Sequence, residues 1–196
     1  MKKLNNLTMV LAKIFEVAHW IAVVAMVIMV LLSIFASGEV ANALQNDMAL
    51  NASNHEFEIY GFEVSLAKSA GEINMATVIL FFIRAAIITA LMAMVFRNIY
   101  LIMKTLKGKN KCTTSTSPFQ KDVIRMIKEI GIFSISVPIV GFFISTIICA
   151  VSMLTGSGGT EISINIQGFI VGLISLCLTN VFTYGANLEK DVDGLL

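Results

Sequence analysis

RNIYLIMKTLKGKNKCTTSTSPFQKDVIRMIKEIG, residues 97–131, is the stretch whose reading decides the fold. It holds Arg97, Lys104, Lys107, Lys109, Lys111, Lys121, Arg125 and Lys128 against only Asp122 and Glu129. Two long apolar segments precede it and two follow. A basic loop in that position stays on the side of a membrane where Lys and Arg accumulate, and it fixes the side on which every other loop falls. Within it, Ser117-Pro118-Phe119-Gln120 reads as a helix start: Ser117 as cap, Pro118 at the first position, Gln120 completing a capping box. Phe119, Val123, Ile127 and Ile130 then recur at helical spacing, while Gln120, Lys121, Arg125 and Lys128 face elsewhere. This predicts a basic amphipathic helix beside a span. Its two readings are a helix lying on an anionic cytoplasmic leaflet and a docking surface for a cytoplasmic protein, and they are compatible.

Outward from this stretch, the composition names the solvent. Of the 196 residues, 57% are hydrophobic and 14% charged, whereas a soluble domain carries about 25% charged residues. Four runs reach the roughly 20 apolar residues that span a bilayer core: about 14–36, 75–103, 131–154 and 168–186. The first follows Lys2, Lys3 and Lys13, but it is longer than the apolar region of a signal peptide, so an uncleaved span is expected. Glu16, His19 and Trp20 lie at its inner end, where polar and amphipathic side chains reach the interface.

The expected outer loop, 37–74, is polar and acidic. Its first part, to about Asn54, reads as loop or short helix. Phe57–Leu66 alternates apolar and polar residues on either side of Gly61, a strand signal, and Glu161–Ile166 alternates likewise. These two pieces are expected to pair as a small antiparallel sheet on the outer side.

The second span contains Arg84, whose charge costs about 2.5–3.5 kcal/mol inside a membrane. Either it snorkels to the outer interface or pairs with Glu72, Glu63 or Glu161, or it marks a ligand or ion site inside the bundle. Ala85, Thr89 and Ala93 form a small-residue stripe on the same helix. In the third span Pro138 can kink the helix, since it lacks an N–H and clashes with the preceding turn, leaving the Ser134 carbonyl unpaired. Thr155–Gly159 is a flexible link and not a phosphate loop, because no Gly-Lys-Ser/Thr follows. Gly168 and Gly172 open the fourth span as a G-x-x-x-G pair, a close-packing signal whose partner helix lies in this chain or in another copy.

Divided by side, the charges are lopsided. The N-terminus, the basic loop (104–130, with Arg97 at its edge) and the C-terminal tail hold 12 Lys and Arg against 6 Asp and Glu. The other side holds Lys68 against Glu39, Asp47, Glu56, Glu58, Glu63, Glu72 and Glu161. The positive-inside rule then puts both termini in the cytoplasm. The expected fold is an all-α membrane protein. A four-transmembrane-helix bundle forms one integral domain over 1–196, with a small extracytoplasmic β-sheet and a cytoplasmic amphipathic helix.

No catalytic constellation is present. The chain lacks H-E-x-x-H, G-x-S-x-G and paired intramembrane aspartates. Cys112, Cys149 and Cys177 form no disulfide framework, and no Cys or His pair has ligand spacing; His55 with Glu56 and Glu58 is at most a weak metal site. No cofactor is implied. Direct nucleic-acid binding is not expected of so short a basic piece without a recognition fold.

Ser117-Pro118-Phe119, the helix leading to Ile130-Gly131, and Asn180-Val181-Phe182-Thr183-Tyr184-Gly185-Ala186-Asn187-Leu188 followed by acidic residues resemble motifs of the DUF2975 family, small bacterial four-span membrane proteins of unknown function. The resemblance implies a multi-pass protein of the bacterial plasma membrane. It also implies a small helix-turn-helix regulator as a candidate partner. Two functions remain in view: a non-enzymatic sensing, signalling or regulatory module with a cytoplasmic protein partner, and a small transporter or immunity-type protein that handles a peptide or amphiphile in the bilayer. The first would use the surface of Phe119, Lys121, Val123, Arg125, Ile127 and Lys128. The second would use Arg84, Pro138 and the small-residue stripes. Homo-oligomers are compatible with both.

Overall fold

A computed structural model describes residues 2–50, 56–59, 62–65, 74–107, 119–155 and 166–193. The elements in chain order are α1 (Lys2–Phe35), α2 (Ser37–Leu50), β1 (Glu56–Ile59), β2 (Phe62–Ser65), α3 (Met75–Leu106), α4 (Lys121–Thr155) and α5 (Ile166–Asp193). Helices α1, α3, α4 and α5 are long and apolar enough to cross a membrane. At 1.5 Å per residue even the 28 residues of α5 reach about 42 Å, more than the roughly 30 Å of a hydrocarbon core.

Their surfaces suit a lipid solvent. Ile21, Val24, Phe143 and Leu173 are each more than half exposed, which in water would leave large apolar patches uncovered. Hydroxyls on these helices hydrogen-bond backwards to their own backbone. Ser175, Thr179 and Thr183 donate to the carbonyls of Val171, Ser175 and Thr179 at 2.9, 2.9 and 2.7 Å. Such internal bonds satisfy a hydroxyl where no water is available. Four spans of this kind fit a multi-pass membrane protein.

The chain divides into two compact units. One comprises residues 1–20, 90–137 and 166–196; the other comprises 21–89 and 138–165. Helices α1, α3 and α4 contribute to both.

In the first unit, the start of α1 is tied to the end of α3. Lys107 Nζ donates to the Asn5 carbonyl at 3.2 Å, to Asn6 Oδ1 and to Met9 Sδ at 3.8 Å. Phe15 stacks on Phe96 with centroids 5.1 Å apart. Lys13 and Lys104 both lie over the Tyr100 ring, at 5.1 and 5.8 Å. The α4–α5 crossing is set by glycine. A Cβ on Gly131 would lie 3.1 Å from the Gly172 carbonyl oxygen, and one on Gly172 would lie 2.9 Å from that of Gly131. Phe119 covers Gly185 and meets Phe182 at 5.6 Å.

In the second unit, Asn74 starts α3. Its Oδ1 accepts the Ala76 N–H at 3.1 Å, the bond an N-cap makes to the second helical residue. Its Nδ2 donates to Thr155 Oγ1 at 2.6 Å, joining the start of α3 to the end of α4. Val78, Phe81 and Ile148 form the core, with Leu44, Met75 and Ile144 packed against it. Glu39 in the first turn of α2 complements the helix dipole there.

Two expectations are corrected. The anticipated sheet between Phe57–Leu66 and Glu161–Ile166 is not borne out. β1 pairs with β2, with Ile59 opposite Phe62, and Ile166 opens α5. β1 ends at Ile59 and β2 begins at Phe62, so the alternation belongs to two short strands; the rest of Glu161–Ile166 lies outside the described residues. The amphipathic helix is not a separate element on a leaflet. It forms the first turns of α4, which runs unbroken from Lys121 through Gly131 to Thr155. The apolar face of those turns is covered by protein: Val123 is 1% exposed and Met126 6%. Its period of 3.6 is the same whether a helix buries its stripe in lipid or in its own fold. The region to about Asn54, left open as loop or short helix, contains α2. The cap residues Ser117 and Pro118, the loop acids Glu72 and Glu161, and His55 lie outside the described residues, whereas Glu63 belongs to β2.

Candidate functional site

The second unit encloses Arg84. It is 2% exposed, and so does not snorkel to the surface. It shares an apolar niche with Phe81, Ala85 and Ile88 that leaves no room for a water molecule. Thr77, about two turns earlier on α3, is fully buried, as are Ser33 and Ser152, and Ser145 is buried. Residues 145, 148 and 152 follow helical spacing, so both serines flank Ile148 on the face that meets Val78 and Phe81. The interior of this unit thus buries several polar side chains beside its apolar core. Arg84 was legible in the sequence. The serines were not singled out, although the seven-residue spacing of Ser145 and Ser152 is the signal that would have found them.

The first unit carries the basic surface. Lys121, Arg125 and Lys128 are exposed on α4, whereas Phe119 and Ile127 are half-buried and Val123 is buried. The six residues expected to form one surface therefore divide into an outward cationic row and an inward packing row. Arg125 pairs with Glu129 at 3.5 Å, one turn on. Beside this pair, α3 and α4 leave a cleft of about 320 Å³, walled by Arg97, Asn98, Leu101, Arg125, Glu129 and Phe133 among others. Asn98 is 5% exposed. The cleft was not foreseen, because its walls come from both sides of the basic loop and only the fold brings them together.

Gly172 meets α4 of its own chain at Gly131, and Gly168 is half-buried. Pro138 is buried inside α4, which continues through it, and Ser134 is 5% exposed. Towards the N-terminal end of the first span, Glu16 is 8% exposed and bonds Lys13 at 3.0 Å. His19 Nδ1 lies 2.7 Å from the Phe15 carbonyl. A carbonyl only accepts, so that nitrogen carries the proton. Among the described residues no group of three His, Cys, Asp or Glu side chains could hold a metal ion.

No family model, curated protein or solved structure matches the chain. The likeness to the DUF2975 family therefore rests on the motifs quoted above.

Proposed function

We propose that the chain is a non-enzymatic signalling or regulatory module of a bacterial plasma membrane, with both termini in the cytoplasm and a cytoplasmic protein as its partner. The observation that carries this reading is the continuity of α4. One helix carries both the buried stretch Ser145, Ile148 and Ser152 and the exposed row Lys121, Arg125 and Lys128. A change in packing along Ser145–Ser152 would be carried by the same helix that bears the charged surface. That surface suits an acidic patch on a partner protein, for which a small helix-turn-helix regulator is the candidate, and the anionic lipids around it.

The test is photo-crosslinking in intact cells from a probe at Lys121, followed by mass spectrometry. Capture of one cytoplasmic protein, lost in Arg125→Glu/Lys128→Glu, supports the module. Capture of lipid or of other copies alone overturns it.

A transporter or immunity-type protein remains the second reading, favoured by one observation: Arg84 is held inside the protein rather than at its surface. The niche around it is lined by Phe81, Ala85 and Ile88 and has no room for a water molecule. Arg84→Leu that inserts normally yet abolishes protection or flux would establish this second role.

A further inference from the structure

Beyond the general attraction of a basic surface for a leaflet, we propose that the cleft between α3 and α4 binds one molecule of an anionic phosphodiester lipid. Its phosphate would sit between Arg97 and Arg125, and an acyl chain would lie along Met94 and Phe133.

Three observations converge. The first is depth. A span of about 20 residues counted from Met75 ends just before Arg97, and the third span begins just after Glu129. The polar end of the cleft is thus at the level of lipid headgroups. Met94 and Phe133, one turn further into their spans, line its apolar side.

The second is charge. Arg97 forms no ion pair among the described residues, and Arg125 is shared with Glu129 at 3.5 Å. The three groups together carry one net positive charge, which matches the single negative charge of a phosphodiester. Guanidinium groups present paired donors that fit phosphate oxygens. Asn98, almost wholly buried, adds a polar amide to the same wall.

The third is size and shape. The cleft volume, about 320 Å³, falls at the low end of the roughly 300–1,000 Å³ typical of small-ligand sites. That is room for a headgroup and the start of a chain, with the remainder in the bilayer. The inference stands whether the chain signals or transports.

The test uses the full chain purified in detergent, with native mass spectrometry of bound lipid after addition of phosphatidylglycerol or phosphatidylcholine. One tightly held phosphatidylglycerol is expected, and its retention should fall by roughly tenfold in Arg97→Gln, the loss of one charge-assisted contact. Lys190→Gln, exposed on α5 and outside the cleft, should retain it. A separate variant guards against misfolding. Phe133→Trp in a Trp20→Phe background places the one indole in the cleft wall, and brominated phosphatidylglycerol should quench it more than brominated phosphatidylcholine at the same mole fraction. Equal retention in wild type and Arg97→Gln, equal loss in Lys190→Gln, or equal quenching by both lipids would overturn the proposal. So would displacement of the lipid by inorganic phosphate at similar concentration, which would make this a site for free anions.

Discussion

Gly131 and Gly172 face each other with backbone on both sides, and this makes them less forgiving than Gly185. A methyl on Gly172 would press on the Gly131 carbonyl at 2.9 Å and on the Ile135 side chain; one on Gly185 meets only the Phe119 ring. A ring can turn, whereas a helix backbone moves only as a unit. Gly172→Ala is therefore expected to destabilise the protein by about 1–3 kcal/mol, and Gly185→Ala by clearly less. Thermal unfolding in detergent would show the order, and equal shifts would contradict the crossing. The glycines of the fourth span were legible as a packing signal. Their partner was not, because Gly131 lies in a different helix and no local pattern links the two.

For α4 the decisive feature is which way the stripe Phe119, Val123 and Met126 points. Burial at 1% exposure means that Val123→Asp places a carboxylate in the protein interior, at a cost of several kcal/mol. The expected result is loss of folded protein, measured as yield and monodispersity after extraction. Lys121→Glu, on the exposed row, should leave both unchanged. If Val123→Asp extracts as well as wild type, the face is open to lipid or a partner after all.

Helix continuity has its own signature. Amides from Ile124 to Ser134 should be protected from hydrogen exchange as one run, whereas a separate leaflet helix would show fast exchange near Gly131. The amphipathic pattern itself was readable, since Phe119, Val123, Ile127 and Ile130 keep helical spacing. Its occupant was not, because lipid and protein select the same period. The alternation around Gly61 was readable too. Which strand pairs with which was not, and the two-residue connection between Ile59 and Phe62 makes the local hairpin the shorter route.

Across the whole molecule, four spans and their approximate bounds follow from hydropathy alone, because a bilayer demands runs of that length and little else produces them. The division into an acidic and a basic side follows from counting charges. What sequence could not supply was burial and enclosure: the near-complete burial of Arg84, and the cleft beside Arg97, both of which depend on the packing around α3. The functional account rests on orientation, with the exposed row of α4 in the cytoplasm and the hairpin outside. Cysteine labelling tests this most directly. In a background of Cys112→Ser, Cys149→Ala and Cys177→Ala, single cysteines at Glu63→Cys and Lys121→Cys would be exposed to a membrane-impermeant maleimide in intact cells. Label at position 63 alone, with position 121 reacting only after lysis, is the predicted result; label at position 121 in intact cells would contradict the account.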